Sequence, residues 1–315
     1  MTSVTAYEGL DIAVLLPCYN EALTIASVVA GFRETLPDAK IWVFDNNSSD
    51  NTADVAARAG ARVVRERRQG KGNVVRRMFA DVDADIYIMA DGDGTYDPAQ
   101  APELIEKLIA ERADMVVGTR RGVTEDAGRE GHAFGNRVFN EIYGNIFGKD
   151  FTDILSGYRA FTRRFVKSFP ATSAGFEIET EMSVHASQLK MPTAEIELDY
   201  GRRPEGSHSK LSTFKDGFKI LFMIAMLMKE TRPAAFFGLL ASVFGLVSLI
   251  ISAPVIHEFL LTGLVPRLPT AVLAMGLMMI AFLFTCCGLI LDSLARSRVE
   301  QKRMIYLAQA GLKVQ

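Results

Sequence analysis

The sequence predicts an α/β domain with a mostly parallel sheet, followed by a C-terminal part that enters a membrane. Three observations support this prediction. Short apolar runs alternate with helical segments between Ile12 and Val117, and continuous apolar strands separated by helices are typical of a parallel sheet covered on both faces. Acidic and amide residues directly follow some of these runs. Two long uncharged segments lie near the C-terminus.

The N-terminal part alternates predicted strands with predicted helices. The strands are Ile12–Leu16, Ile41–Phe44, Arg62–Arg65, Ile86–Met89 and Met115–Val117. The helices between them are Glu21–Phe32, a segment from Asp50 or Asn51 to Ala59, Asn73–Ala80 and Pro98–Glu111. Asp50 or Asn51 is the candidate cap of the second helix, and Gly60 is its candidate stop. Ligands bind at the carboxyl ends of strands in such sheets, so Asp45 and Asp91-Gly-Asp93 locate a site.

Composition limits the functions that the chain can have. The 315 residues carry a net charge of −2, so no overall basic excess indicates nucleic-acid binding. Cys18 lies in a predicted strand and Cys286 and Cys287 lie in an apolar run, so no disulfide framework is predicted. Met1–Asp11 is polar and lacks the pattern of a signal peptide. We therefore expect the N-terminal domain to stay on the side of the membrane where it is made.

Pro233–Ile256 and Leu268–Leu291 each run for 24 residues without a formal charge. As helices they would be about 36 Å long, against a hydrocarbon core of about 30 Å, so we expect a transmembrane hairpin joined by His257–Arg267. Arg267 is the only Lys or Arg of that link. The basic residues that flank the hairpin are Lys215, Lys219, Lys229, Arg232, Arg296, Arg298, Lys302 and Arg303. The positive-inside rule then predicts an integral membrane protein with a cytoplasmic N-terminal domain, in a bacterial or archaeal plasma membrane.

Thr213–Met228 begins as an amphipathic segment and ends in an apolar run, Ile220–Met228. This run is too short to span a bilayer, so a helix in the membrane interface is expected, with a buried core helix as the alternative. The predicted domains are the α/β domain 1–212, the interfacial helix 213–232, the hairpin 233–292 and the cytoplasmic tail 293–315.

The strongest local signal is Asp91-Gly-Asp93-Gly-Thr95, directly after a predicted strand. Residues two apart in an extended chain point to the same side, so both carboxylates are expected to face one site. A divalent cation that bridges them to a diphosphate would relieve their repulsion, and Mg²⁺ or Mn²⁺ fits such ligands. An EF-hand is excluded, because Tyr96 and Pro102 stand where it needs Gly and Glu. A solvated turn is the alternative for the motif alone.

Further motifs accompany this one. They are Pro17-Cys-Tyr-Asn-Glu21, Asp45-Asn-Asn-Ser-Ser-Asp-Asn-Thr52, Gln69-Gly-Lys-Gly-Asn73, Val116-Val-Gly-Thr-Arg120, Thr152-Asp-Ile-Leu-Ser-Gly-Tyr-Arg159 and Arg203-Pro-Glu-Gly-Ser-His-Ser-Lys-Leu211. In this order the set resembles the family 2 glycosyltransferases with the GT-A nucleotide-sugar fold. Within that family it resembles the polyprenyl-phosphate sugar synthases, the group that contains dolichol-phosphate mannose synthase. The resemblance covers about residues 10–212 and the two-helix membrane tail that some members carry.

The resemblance implies a nucleotide-sugar site. Pro17, Tyr19 and Glu21 match the first nucleotide-binding loop; a charge in the first turn of a helix is the alternative role of Glu21. Asp45 matches the base-recognising aspartate, since an acceptor-only group suits the ring N–H of uracil or guanine, and an Asx-turn is its alternative. Lys71, between two glycines, is expected to reach the diphosphate. The glycine and Ser/Thr pattern of a P-loop is not met.

The resemblance also implies a metal and phosphate site. Asp91 and Asp93 match the metal motif, with Asp93 favoured as the direct ligand. Arg120, Arg203 and Lys210 match positions that hold phosphates, where Arg makes bidentate contacts and Lys supplies a point charge. The implied catalytic residues are Asp91, Asp93, Arg203 and Lys210.

The acceptor phosphate is implied to lie at His132, Asn136 and Arg137. His132 stands at a position that is commonly Arg in the family, and the loop before Leu211 is one residue longer than the common Gly-Glu-Ser-Lys form. The individual acceptor contacts therefore stay open.

Two glutamates four residues apart, Glu177 and Glu181, are expected to share one helix face. Glu181 matches a family carboxylate, for which catalysis and the orientation of an arginine such as Arg159 are alternatives. The histidines that lack ligand spacing are interpreted as ordinary residues: His185, His208 and His257.

The predicted reaction transfers a hexose-type sugar from a nucleotide-sugar to polyprenyl phosphate at the cytoplasmic membrane face, as in cell-envelope glycan synthesis. A UDP-sugar is preferred as donor, with GDP-mannose as the alternative, and the resemblance implies inversion at the anomeric carbon. The second pKa of a phosphate monoester is about 6, so the acceptor is largely dianionic at neutral pH and needs no strong base. A homo-oligomer is left open.

Other classes fit the sequence less well. Another lipid acceptor remains an alternative, as does a sugar nucleotidyltransferase, although that class carries a Gly-rich, Arg-containing loop where this chain has Pro17-Cys-Tyr-Asn-Glu21. A processive polysaccharide synthase needs Gln-x-x-Arg-Trp, and the only tryptophan is Trp42 on an early strand. The presence of both Asp91 and Asp93 argues against a non-catalytic scaffold.

Overall fold

The computed structural model describes residues 7–121, 144, 151–175, 177–201, 225–226 and 228–312. The chain forms two compact units. One comprises Met1–Leu211 with Lys302–Gln315, and the other comprises Ser212–Gln301. The first unit contains the predicted α/β domain, and the second contains most of the apolar C-terminal segments.

A seven-stranded sheet forms the centre of the first unit. Its strands are β1 (Ile12–Cys18), β2 (Lys40–Asp45), β3 (Arg62–Arg65), β4 (Ile86–Met89), β5 (Met115–Arg121), β6 (Arg159–Thr162) and β7 (Thr193–Asp199). Their order is β3-β2-β1-β4-β6-β5-β7. Only β6 runs antiparallel to its neighbours, β4 and β5, whereas the remaining pairs are parallel. The predicted α/β fold with a mostly parallel sheet is confirmed.

The helices of this unit connect the strands. Those described are α1 (Ile25–Thr35), α2 (Thr52–Arg58), α3 (Lys71–Asp81), α4 (Ala101–Ala110), α5 (Arg163–Ser168) and α6 (Ile178–Leu189), with a 3₁₀ turn at Pro98–Gln100. α1 begins four residues later than predicted, after a turn at residues 22–24 in which Thr24 N donates to Glu21 O at 3.1 Å; the backbone N–H of Glu21 donates to Thr52 Oγ1 at 2.8 Å. Asn51 occupies the N-cap position of α2 without a side-chain bond, and Asp50 Oδ1 instead accepts from Thr52 N at 3.0 Å.

The core explains why the strands are continuously apolar. Every residue of β1 and β4 is buried. Val14 and Leu16 belong to one apolar cluster with Phe32 of α1 and Leu104 of α4. Leu15, which alternates with them in the strand, is fully buried as well. Because both faces of the central strands are covered, neither face selects polar residues.

The strand register brings three loops to one edge of the sheet. In β1, Cys18 lies opposite Asp45 of β2, and Leu15 lies opposite Met89 of β4. The chain passes from β1 to β2 and β3 and then returns to β4 on the other side of β1. Open α/β sheets bind ligands in the crevice at such a switch point, at the carboxyl ends of the strands. The loops after β1, β2 and β4 therefore share the candidate site.

The second unit is built on two long helices, α7 (Pro233–Thr262) and α8 (Leu268–Ala308). They have 30 and 41 residues and mean hydropathies of 2.4 in their most apolar windows, so both are long and apolar enough to cross a membrane. Ser248 Oγ on α7 donates to Ala274 O on α8 at 2.7 Å. α7 continues through much of the predicted link and ends before Gly263, which has a φ of +69°. Most of the predicted interfacial segment, 213–228, lies outside the described residues.

A buried carboxylate joins distant segments of the first unit. Asp114 is 1% exposed and accepts two hydrogen bonds from Arg164, at 3.0 and 2.8 Å, and one from Thr162 Oγ1 at 2.8 Å. Tyr306 OH, in the last turns of α8, also donates to Asp114, at 2.7 Å. These turns belong to the first unit, so Asp114 attaches the C-terminal end of the chain to the α/β domain.

Asp114→Asn should lower the midpoint of thermal unfolding clearly more than Asp83→Asn does. Hydrogen bonds to charged groups are worth about 1.5–3 kcal/mol, and Asp114 accepts several of them in the core. Asp83 contacts Arg163 at 2.8 Å, but its side chain is 65% exposed, and exposed pairs contribute about 0–1 kcal/mol. Scanning fluorimetry of both variants in the same detergent compares them directly. Equal shifts would show that Asp114 has no special structural role.

Candidate functional site

Hydrogen bonds join the loops that follow β1 and β2. Asn20 N donates to Ser48 Oγ at 2.9 Å, and Asn20 Oδ1 accepts from Ser49 N at 2.8 Å. Asn20 has a φ of +54°, a left-handed conformation that asparagine tolerates better than most residues. The predicted first nucleotide loop and the Asp45–Thr52 motif therefore form one continuous surface.

The structure describes the predicted donor residues and leaves out the predicted acceptor residues. Those at the carboxyl edge of the sheet are Pro17, Tyr19, Glu21, Asp45, Lys71, Asp91, Asp93 and Arg120. Pro17 is buried within β1, and Tyr19 is half-buried just beyond its end. The predicted residues that lie outside the described part of the chain are His132, Asn136, Arg137, Arg203, His208 and Lys210.

Asp45 ends β2 with an unsatisfied carboxylate oxygen. The residue is 3% exposed, and its Oδ1 has no hydrogen-bond partner among the described residues. Buried polar atoms are nearly always paired, so this oxygen is suited to a donor group supplied by a ligand.

Asn46, the residue after β2, fastens the loop that leads to α3. Its Oδ1 accepts from Gly70 N at 2.7 Å, and its Nδ2 donates to Arg68 O at 2.7 Å. Asn46 is 4% exposed. This contact fixes the approach to Lys71.

Lys71, the first residue of α3, is held between two carboxylates. Its Nζ lies 2.5 Å from Asp91 Oδ1 and 2.5 Å from Glu179 Oε1. Burial disfavours the ammonium, but Asp91 and Glu179 outweigh this effect and raise the pKa of Lys71. Lys71 therefore stays charged at any physiological pH.

The glycines on either side of Lys71 allow α3 to begin against another segment. Gly70 has a φ of +127°, and a Cβ there would overlap the carbonyl oxygen of Ala174. A Cβ on Gly72 would likewise overlap the carbonyl oxygen of Ser173. The Gly72 N–H points to the carbonyl oxygens of Ala174 and Gly175, at 3.1 Å from each. The glycines at positions 70 and 72 are thus required by backbone packing.

The Asp91-to-Thr95 motif forms a tight turn after β4. Asp93 is 3% exposed, and its Oδ1 accepts from Thr95 N at 3.1 Å and from Thr95 Oγ1 at 2.6 Å. Gly94 has a φ of +76°. Gly157, from the predicted Thr152–Arg159 motif, lies so close to Asp91 that a Cβ there would stand 2.9 Å from Asp91 Oδ2.

The buried thiol of Cys18 lies near several acidic residues of this edge. Burial raises the pKa of its thiol well above the ordinary value, and nearby carboxylates raise it further. Those carboxylates are Glu21, Asp91, Asp45 and Asp93. The acidic residues that were predicted from separate motifs therefore all lie near one buried side chain.

Arg120 lies at the end of β5 and is paired. Its Nε and Nη2 each contact one carboxylate oxygen of Asp153 at 2.8 Å, and its guanidinium stands 5.6 Å from the centre of the Tyr200 ring. Burial opposes the charge, but Asp153 raises the pKa of Arg120. The sequence motif contains Asp153, yet sequence reasoning assigned it no role.

The glutamates of the α6 region have different surroundings. Glu181 accepts hydrogen bonds from Thr172 and Ser173, whereas Arg159 donates to the backbone of Ser156 and Ile154. The contact of Glu181 is thus with the turn before α6.

His185 of α6 lies in the core, where it packs edge-on against Phe165 and Phe169. Burial, with a smaller contribution from Lys302, lowers the pKa of His185 to about 3.

Sequence reasoning missed Glu179, which contacts Lys71 directly. It is 4% exposed and lies on α6 between Glu177 and Glu181. The signal was present: Glu179 shares a helix face with Met182 and Ser183, three and four residues on, and both are buried. An acidic residue on the buried face of a helix requires a partner.

A divalent cation fits the charge of this edge. No group of three or more His, Cys, Asp or Glu side chains in the described residues forms a metal cage. A cation that also binds phosphate oxygens needs only one or two carboxylates, and Asp91 and Asp93 supply them at the end of β4. Among the described residues, four carboxylates lie near Cys18 and Lys71 contacts one of them, so a divalent cation could offset part of their charge.

The fold and this edge define the class of the domain. A mostly parallel sheet, a buried aspartate with an unpaired oxygen at the end of β2 and an acidic turn after β4 are the features of a GT-A nucleotide-sugar domain. Comparisons with known proteins agree.

The Glycosyl transferase family 2 domain matches residues 13–169. The chain is 38% identical over 229 residues to the glycosyltransferase AglJ of Haloferax volcanii, covering 72% of this chain and 75% of that protein. It is 26% identical over 229 residues to the dolichyl-phosphate hexose transferase of the same organism, covering 73% and 99%.

A solved structure has the same fold. It is glucosyl-3-phosphoglycerate synthase from Mycobacterium tuberculosis in complex with Mn²⁺, UDP-glucose and phosphoglyceric acid, which matches with a TM-score of 0.58 and 25% identity over 71% of this chain and 80% of that chain. Together these comparisons show that the chain belongs to glycosyltransferase family 2 and is a glycosyltransferase.

Cys18 should resist alkylation by iodoacetamide at pH 8 in the folded protein and react after unfolding in denaturant. The reason is that the thiolate is the reactive species, and burial beside the carboxylates suppresses it. Mass spectrometry of a Cys286→Ser/Cys287→Ser background isolates this thiol, and Cys18→Ser is the control. Rapid labelling of the folded protein would contradict the negative, buried character of the edge.

Proposed function

We propose that this glycosyltransferase is membrane-anchored and inverting, and that it transfers a hexose-type sugar from a nucleotide-sugar to polyprenyl phosphate at the cytoplasmic face. The observation that carries the nucleotide-sugar donor is the convergence of Asp45, Asp91 and Asp93 near Cys18 at one sheet edge, with Lys71 in contact with Asp91. The proposed lipid acceptor is supported by two apolar helices of membrane-spanning length and by similarity to a dolichyl-phosphate hexose transferase.

The donor would occupy the crevice at the carboxyl ends of β1, β2 and β4. Asp45 Oδ1 would accept the ring N–H of the base, and Glu21 would accept from the ribose hydroxyls. Asp91 and Asp93 would hold Mg²⁺ or Mn²⁺, which when bound neutralises charge on the diphosphate. A UDP-sugar is preferred, since the solved relative holds UDP-glucose with Mn²⁺.

The reaction would be a single displacement. An oxygen of the lipid phosphate forms a bond to the anomeric carbon, the bond from that carbon to the diphosphate oxygen breaks, and the nucleoside diphosphate leaves with the bonding electrons. The ammonium of Lys71 stabilises the charge that develops on this leaving group. The acceptor phosphate is already largely dianionic, with a second pKa of about 6, so no side chain needs to remove a proton.

The acceptor phosphate requires cationic partners of its own. From the sequence, His132, Asn136 and Arg137 are proposed on one segment, and Arg203 and Lys210 on another. In both segments cationic side chains can make charge-assisted bonds to phosphate oxygens. The solved relative was crystallised with phosphoglyceric acid, so a small soluble phosphate is the competing acceptor class.

Asp93→Asn should nearly abolish sugar transfer without lowering the midpoint of thermal unfolding by much, because the amide weakens cation binding while it can still accept from Thr95. Transfer would be measured with radiolabelled nucleotide-sugars across titrations of Mn²⁺ and Mg²⁺. Asp97→Asn is the matched control, since Asp97 caps the 3₁₀ turn that follows. Metal-independent transfer by the unmutated protein would exclude the metal role.

Polyprenyl phosphate should be glycosylated, whereas the corresponding polyprenyl alcohol should not, because the alcohol needs a base to remove its proton. Arg137→Ala should raise the concentration of lipid phosphate required by roughly 10- to 150-fold, the loss of one hydrogen bond to a charged group, with little change in the requirement for nucleotide-sugar. Thin-layer chromatography of the products measures both the choice of acceptor and the dependence of transfer on lipid-phosphate concentration. Efficient transfer to the alcohol, to diacylglycerol or to phosphoglyceric acid would refute the acceptor proposal and leave the glycosyltransferase class intact.

A further inference from the structure

A buried carboxylate stands behind the lysine of the donor site. Lys71 Nζ lies 2.5 Å from an oxygen of Asp91 on one side and 2.5 Å from an oxygen of Glu179 on the other. The two carboxylates differ in exposure: the side chain of Asp91 is 29% exposed, whereas that of Glu179 is 5% exposed. Asp91 therefore faces the crevice, and Glu179 faces the protein.

Helix stability does not account for a lysine at this position. Lys71 is the first residue of α3, and the first turn of α3 contains no acidic residue. The N-terminal end of a helix carries partial positive charge, which disfavours a cation there by about 0.3–1 kcal/mol. Glu179, by contrast, lies in the first turn of α6, where an anion is favoured. The lysine is thus kept in an unfavourable place by its two carboxylate partners.

Hydrogen bonds from two side chains to the turn before α6 fix the distance between the start of α3 and the start of α6. Arg76 of α3 donates to the carbonyl oxygens of Ala171 and Thr172, at 2.7 and 3.1 Å. Glu181 of α6 accepts from Thr172 N at 2.9 Å and from Ser173 N at 2.8 Å. The turn before α6 is therefore fastened to both helices, and the Lys71–Glu179 contact has little freedom to open.

We infer that Glu179 is a positioning residue, whose buried carboxylate retains the Lys71 ammonium at the carboxyl end of β4 while the more exposed Asp91 exchanges between Lys71 and the donor. This inference rests on the proposed function, since the donor is the nucleotide-sugar with its divalent cation. Without Glu179, Asp91 still contacts Lys71, and the ammonium competes with the divalent cation of the donor for the Asp91 carboxylate.

The test measures nucleotide binding in addition to transfer. Calorimetry of the full chain in detergent with UDP and with GDP, each with Mn²⁺, identifies the nucleotide that the unmutated protein binds. Glu179→Gln should raise the dissociation constant of that nucleotide by about tenfold or more, the loss expected for a contact between charged groups. Glu177→Gln, an exposed change two residues away, should leave the dissociation constant unchanged. Glu179→Asp keeps the charge and shortens the side chain. Its dissociation constant for the nucleotide should lie between those of Glu179→Gln and Glu177→Gln.

A double-mutant cycle separates positioning from general packing. In a Lys71→Gln background, Glu179→Gln should change the dissociation constant by less than about twofold, because its partner is already absent. An equal effect with and without Lys71 would overturn the inference, and so would normal binding by Glu179→Gln. If Glu179→Gln does not fold, Glu179→Asp carries the same cycle, and wild-type binding by that folded variant overturns the inference. Failure of the unmutated protein to bind either nucleotide would overturn the proposed function first and the inference with it.

Discussion

Concentrated negative charge at one edge of the sheet is the constraint on which the rest of the site depends. The parallel register places Cys18 opposite Asp45, and the turn after β4 comes up beside them. Glu21, Asp45, Asp91 and Asp93 all act on the buried Cys18 thiol. Like charges near one another are unfavourable unless cations accompany them; Lys71 is one such cation at this edge, and the divalent cation of the proposed function would be a second.

The fixed cation is built into the backbone. Gly70 and Gly72 let α3 begin in contact with the carbonyl groups of residues 173 and 174, and Asn46 fastens the preceding loop. Glu179 then completes the surroundings of Lys71 from the protein side. Lys71 of the proposed donor site is therefore held by contacts within the protein, and preorganised electrostatic sites avoid reorganisation during the reaction in this way.

The proposed acceptor and the proposed membrane anchoring suit each other. In the proposed reaction a phosphate acceptor arrives already ionised, so the site would require cations more than a base. Among the described carboxylates, Asp91 is engaged with Lys71, Asp93 with Thr95 and Asp153 with Arg120. Apolar helices as long as α7 and α8 would keep the domain near a lipid substrate. The family membership of the chain and the similarity to a dolichyl-phosphate hexose transferase fit this combination.

The sequence alone determined the five strands β1 to β5, the acidic motifs and the two apolar segments, because apolar periodicity and turn residues are local properties; it did not predict β6 and β7. It also located Asp45, Asp91 and Lys71, since each follows a strand or a glycine pattern. Tertiary structure decided that β6 runs antiparallel, that α1 begins late, and that Glu179 contacts Lys71. These features depend on contacts between residues far apart in the chain, here 108 positions for Lys71 and Glu179, and no local pattern encodes which distant side chain fills a given space.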